Sequence, residues 1–204
     1  MKRRHILIAA AASALVTPAA FAARSEDTNP FGSVGPFKED AKTVYEFLAF
    51  SCTYCQQHHD SFVAWGRSIP KPVVFEPVPV VVDLSTFTAA RAFYAVRQAS
   101  PRLLDQYCSA VLNAFRHGAV DAADQGLLAR VGVDRRAFDQ AWKSHAVKTA
   151  IQDAAALTLK YDISVTPTLA IGGTTVLTAD MVNGDYGILT RIASGFVSRM
   201  LEKS

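Results

Sequence analysis

Three cysteines in a chain of 204 residues are too few for a scaffold stapled by disulfides, the device by which small exported domains often hold together. Long apolar runs are scarce as well. The one near the N-terminus, Ile6 to Val16, falls short of the ~20 residues a membrane-spanning helix needs, and no later stretch is apolar enough to serve. Internal repeats and low-complexity tracts are absent. So is any surplus of basic charge: Lys2, Arg3 and Arg4 account for the excess of 21 Lys and Arg over 18 Asp and Glu. The remainder is balanced and gives no support for a nucleic-acid partner or an anionic membrane.

What is present begins with Met1-Lys2-Arg3-Arg4, the apolar stretch and then Ala20-Phe21-Ala22. Charge, hydrophobic segment and small-residue cleavage site in that order make a signal peptide of about residues 1–22. Arg3-Arg4 also admits a twin-arginine signal, but Lys2 and His5 flank it poorly. Export makes an oxidising compartment the expected destination, the periplasm. Half of the residues are apolar, enough for one core or for one domain carrying an insertion.

Cys52-Thr53-Tyr54-Cys55 follows the apolar run Val44 to Phe50 and precedes a helix-like stretch to about Gly66. Two thiols therefore sit where a strand hands over to a helix N-terminus. Unpaired N–H groups and the helix dipole stabilise a thiolate there, with pKa values of ~3.5–7.5 against ~8.5 for a free thiol. A thiolate is the attacking species in disulfide exchange. Cys108 lies in an amphipathic stretch and reads as a buried, inert thiol, with a regulatory disulfide as the alternative.

The remaining chain divides by pattern. Residues 23–41 lack a hydrophobic period and read as irregular. Val73 to Val82 reads as a strand that Pro77 and Pro79 should shorten or bulge. Thr86 to Tyr161 is helical throughout, with breaks that suggest about four helices. Thr168–Ile171 and Thr174–Leu177 form a hairpin across Gly172-Gly173, read as a two-residue turn. A last helix spans roughly Tyr186 to Leu201. The fold class is α/β, a domain interrupted by an all-helical insertion.

These elements resemble the thioredoxin superfamily, and within it the DsbA branch of exported thiol–disulfide oxidoreductases. The likeness rests on Glu46-Phe-Leu-Ala-Phe-Ser-Cys-Thr-Tyr-Cys55, on the helical insertion, on Phe138-Asp-Gln-Ala-Trp142 and on Val165-Thr166-Pro167-Thr168. It implies a thioredoxin-like fold with an all-helical insertion domain: residues 23–85 and 156–204 form the thioredoxin-like domain and 86–155 the insert. It implies a redox-active Cys52–Cys55 disulfide, and a cis-proline at Pro167 that leaves the Thr166 backbone free to pair with an extended substrate. Thr53 and Tyr54 complete the substrate-binding set. Glu46, an acid in an apolar strand, corresponds to the family's buried carboxylate and is expected to accept or relay the Cys55 proton; the plainer alternative is a carboxylate satisfied by a neighbour.

No cofactor is implied. Cys52, Cys55 and His59 share a helix face but lack a fourth ligand, so no metal is expected, and His58 and His59 read as residues of a solvated helix. Ser51 has no triad around it. The expected function is insertion of disulfide bonds into folding exported proteins with free cysteines, with re-oxidation by a DsbB-like, quinone-linked membrane thiol oxidase. Thr53-Tyr54 departs from the Pro-His common in oxidases, and with Thr166 it resembles the isomerase branch. The short segment before the first strand cannot hold the isomerases' dimerisation domain, so a monomer is expected. A reductase or isomerase on the same fold, or a non-catalytic client-binding chaperone, are the alternatives.

Overall fold

The computed structural model describes residues 31–118 and 121–202; the expected signal peptide lies outside them. Five strands form one sheet: β1 (Gly32–Ser33), β2 (Thr43–Leu48), β3 (Val74–Pro79), β4 (Thr168–Ile171) and β5 (Thr175–Thr178), in the order β1-β5-β4-β2-β3. Only β2 and β3 run parallel. The seven α-helices among the described residues are α1 (Thr53–Ser68), α2 (Leu84–Ala99), α3 (Leu104–Arg116), α4 (Gln125–Val131), α5 (Arg135–Lys143), α6 (His145–Lys160) and α7 (Tyr186–Glu202). Among the described residues no helix is long and apolar enough to cross a membrane.

Alternation along the inner strands sets the two cores. On β2 and β4, Val44, Leu169 and Ile171 pack with Phe62 of α1 and Leu189 and Val197 of α7. Tyr45, Phe47 and Ala170 point the other way, toward Phe93, Tyr107, Tyr161 and the helical block. Each fully buried Phe or Leu here stabilises the fold by about 1.5–3 kcal/mol. The α/β architecture with its helical insertion is therefore as expected.

Several details differ. The N-terminal segment is not wholly irregular: β1 pairs antiparallel with β5, a two-residue strand too short for any period to register. The turn from β4 to β5 has three residues, because Ile171 pairs with Thr175. Gly172 and Gly173 both take positive φ, and a Cβ on Gly173 would strike the Phe37 carbonyl, so glycine is required there. β3 is short but not bulged, since its register against β2 is one-to-one. The N–H groups of Val74 and Val80 point at β2; with a period of two, Pro77 and Pro79 lose only donors that face away from the sheet. The helical block holds five helices, because Ser144 ends α5 and caps α6 by accepting from the Val147 N–H. Residues 86 and 155 both fall inside helices, α2 and α6.

At the end of β2 away from the thiols, Asp40 is buried and accepts hydrogen bonds from Tyr45 Oη (2.8 Å), Tyr161 Oη (2.7 Å) and Lys160 Nζ (2.6 Å). This ties the N-terminal segment, the central strand and the end of α6 together. Burial alone would raise the Asp40 carboxyl, but the bonds from Lys160, Tyr161 and Tyr45 prevail and hold it below its usual value. Its contribution to stability is complete above the unfolded value near 3.8 and is lost as pH falls through the lower folded value. Asp40→Asn is expected to cost about 3 kcal/mol in urea unfolding at neutral pH. The gap to wild type should shrink in strong acid; a gap independent of pH would contradict this account.

Candidate active site

Strand β2 ends at Leu48, and the Cys52 N–H then donates to the Ala49 carbonyl at 3.0 Å, closing the turn that leads into α1. Cys52 is the N-cap residue: it keeps extended backbone angles, and its Sγ accepts from the Cys55 N–H at 3.5 Å. A sulfur thus occupies the place a Ser or Asp oxygen takes at most helix starts. Cys55, one turn on, is fully buried, whereas Cys52 is half-exposed. Both thiols are free in this structure.

The far side of the site comes from a distant part of the chain. Antiparallel pairing of β4 with β2 sets Thr168 opposite Phe47, which places the preceding residues over the start of α1. The Thr166 carbonyl lies 3.1 Å from Cys52 Sγ. The Thr166–Pro167 peptide is cis, and Pro167 is buried.

The two thiols are driven apart electrostatically. Cys52 is pulled down to about 5, first by the hydrogen bond from the Cys55 thiol, against burial, and further by the Thr166 side chain and the N–H groups of Cys55 and Tyr54. Cys55 is pushed far up, by the bond it gives to Cys52, by burial and by the neighbouring charges of Cys52 and Glu46. Near neutral pH the reduced pair is therefore a thiolate at Cys52 and a thiol at Cys55.

Glu46 is fully buried on β2, and both its oxygens meet His59 Nδ1 of α1, at 3.0 and 2.9 Å. Burial raises the Glu46 carboxyl, opposed by His59. His59 is lowered by burial but raised more by Glu46, Asp60 and Asp105. This histidine is 2 % exposed, so the reading of it as solvated is wrong; α1 turns it inward onto Glu46. Cys55, His59, Phe62 and Val63 form the buried face of that helix, and His59's place between Cys55 and Phe62 is the signal that could have revealed it.

Around the rim, Thr53 and Tyr54 face solvent, Tyr54 being 58 % exposed. His58 stacks on Tyr186 with ring centroids 3.6 Å apart, and Tyr54 lies beside Tyr186 at 6.3 Å with the rings inclined by 27°. Tyr186 starts α7 and was not legible as a neighbour of the thiols. Cys108 is buried in α3, where burial keeps it a thiol. Among the described residues no group of His, Cys, Asp and Glu could hold a metal. The structure thus brings together Cys52, Cys55, Thr166 and Pro167, sets Glu46 against His59, and leaves Thr53 and Tyr54 outside.

The sequence profile of the DSBA-like thioredoxin domain matches residues 56–185, starting one residue after Cys55. The chain belongs to the DSBA-like thioredoxin domain family. It is similar to the thiol:disulfide interchange protein DsbA of Bordetella parapertussis, at 26% identity over 185 residues and 88% of each chain. To the protein of the same name from Burkholderia cepacia it is 27% identical over 134 residues, 64% of this chain and 62% of that one. The crystal structure of Pseudomonas aeruginosa DsbA superposes with a TM-score of 0.74 at 20% identity, covering 86% of this chain and 95% of that one. The Neisseria meningitidis oxidoreductase NmDsbA1 gives 0.68 at 20% identity, over 85% and 92%. At such identities the structures show the thioredoxin-like fold alone; family and relatives together make the chain a DsbA-type oxidoreductase.

Titration of the reduced protein, followed by thiolate ultraviolet absorbance, should show one transition at about 5. Because the Cys55 thiol is the largest cause of that value, Cys55→Ala should move the transition up toward ~8.5, the free-thiol value. A wild-type transition already near that value would contradict the described hydrogen bonds.

Proposed function

We propose that the chain is an exported dithiol–disulfide oxidase that introduces disulfide bonds into folding periplasmic proteins through Cys52 and Cys55. The observation that carries this reading is the separation of the two thiols, a partly exposed one held as thiolate and a buried one held as thiol. A thiolate stabilised only in the reduced protein makes the disulfide a good oxidant, because reduction gains that stabilisation.

In the forward reaction a client thiolate attacks Cys52 Sγ of the Cys52–Cys55 disulfide. The Cys55 sulfur leaves with the electron pair and takes up a proton, with Glu46 as its donor. A second client thiolate then attacks the client sulfur of the mixed disulfide. The client disulfide forms, and Cys52 leaves as the stabilised thiolate. The Thr166 backbone beside Pro167 aligns the client as an extended segment, with Thr53 and Tyr54 at its flank. A DsbB-like, quinone-linked membrane oxidase takes the two electrons from the reduced pair. The catalytic domain is residues 23–85 and 156–204, interrupted by the helical insert 86–155, and the protein acts as a monomer after loss of residues 1–22.

Equilibration with glutathione buffers gives the reduction potential that tests the direction. A value near ~−120 mV, as in DsbA, supports the oxidase; one near ~−270 mV, as in thioredoxin, turns the assignment to a reductase or isomerase on the same fold. Cys52→Ser and Cys55→Ser should each abolish disulfide formation in a reduced test protein. Survival of client handling in both variants would favour the binding-only alternative.

A further inference from the structure

Disulfide exchange moves a proton as well as electrons, and the buried Cys55 thiol has no direct path to water. His59 commits Nδ1 to Glu46. Its other ring nitrogen, Nε2, is buried and has no hydrogen-bond partner among the described residues. An unpaired buried polar atom costs about 1–3 kcal/mol, and this one is held in place by the bidentate contact on the opposite edge of the ring. His59 also lines a cavity of about 350 Å³ where α1 meets α3, walled by Gln56, Asp60, Ser109, Asn113 and Arg116. Asp60, Asn113 and Arg116 are exposed, so the cavity opens to solvent, and it has room and polar partners for several waters. With Nδ1 turned inward, Nε2 is the ring edge left for that cavity.

We propose that His59 is the positioning residue that passes the reaction's proton between the Glu46 carboxylate and the water-accessible cavity between α1 and α3. This rests on the exchange reaction proposed above. Net charge is disfavoured at a pair so fully removed from water, which leaves two neutral arrangements: carboxylate with imidazolium, or carboxylic acid with neutral imidazole. In the dithiol state Cys55 carries its proton and the pair is carboxylate and imidazolium. On closure of a mixed disulfide, the Cys55 proton goes to Glu46 and the sulfur's electron pair forms the bond to Cys52 Sγ. The bond from Cys52 to the client breaks and the client leaves as thiolate. As the proton reaches Glu46, the imidazolium releases its Nε2 proton to cavity water, and the pair stays neutral. Reduction of the disulfide runs the same steps backward, so over a full cycle Nε2 takes up one proton and gives one back. The other groups facing this histidine are Asp60 on its own helix and Asp105 on α3, whose charges favour the imidazolium. Arg116 stands on the cavity wall.

The test is the rate at which Cys55 closes a Cys52–glutathione mixed disulfide, measured by rapid mixing on the folded chain. His59→Gln keeps an N–H donor for Glu46 but cannot take a proton at one atom and release it from another. It should slow closure by about a hundredfold, while the Cys52 titration, which draws on neither His59 nor Glu46, stays at its wild-type value. His59→Ala should be slowed similarly and accelerated by imidazole added to the buffer, but not by salt at equal ionic strength. Closure by His59→Gln at the wild-type rate overturns the proposal, as does a slowed His59→Ala that imidazole leaves unchanged. A wild type that cannot close the mixed disulfide at all would instead remove the exchange reaction itself, a different result from either.

Discussion

The antiparallel pairing of β2 with β4 is the contact on which the site depends. β2 carries Glu46 and delivers the chain to Cys52, while β4 is preceded by Thr166-Pro167, so their register fixes both halves of the site at once. A slip of one residue would turn Glu46 toward the opposite core and move Thr166 away from Cys52. The register is well specified, because Val44, Leu169 and Ile171 on one face and Tyr45, Phe47 and Ala170 on the other belong to different cores. The long return from β3 passes through five helices among the described residues before it delivers Thr166-Pro167, and it covers the aromatic face of the sheet.

Burial then sets the chemistry. At the exposed end of α1, Cys52 has donors around it and loses its proton easily. One helical turn inside, Cys55 is buried beside Cys52 and within reach of the Glu46 charge, and it keeps its proton. A carboxylate sealed beneath them without a partner would cost several kcal/mol, and His59 removes that cost by meeting both oxygens. The result is a partly exposed thiolate over a buried thiol, carboxyl and imidazole, the imidazole bordering the cavity between α1 and α3.

Most of this architecture was legible from periodicity and spacing. The apolar run ending at Phe50 and the Cys-x-x-Cys at a helix start are local signals that gave the strand, the helix and the place of the thiols, whereas the place of Thr166-Pro167 opposite them came from the resemblance to the DsbA branch. β1 was too short to carry a pattern. The three-residue turn after Ile171 differs from a two-residue one only in pairing, which no local signal specifies. Ser144 splits a helical pattern that runs on without a Gly or Pro to mark the break. His59 was lost for another reason: Gln56-Gln57-His58-His59-Asp60 is polar as a string, and only the face it shares with Cys55 and Phe62 shows which of two adjacent histidines turns inward.

The side chains between the cysteines contribute little to holding the Cys52 thiolate. A histidine between the thiols would add a charge near Cys52. Here the thiolate is already stabilised by the Cys55 thiol, by the Thr166 side chain and by N–H groups at the helix start, none of which depends on which side chains stand at positions 53 and 54. Those side chains face outward, Tyr54 toward Tyr186 and solvent, away from the sulfur. The stability of the reduced pair therefore follows from the helix terminus and the buried partner beneath it rather than from the side chains of Thr53 and Tyr54.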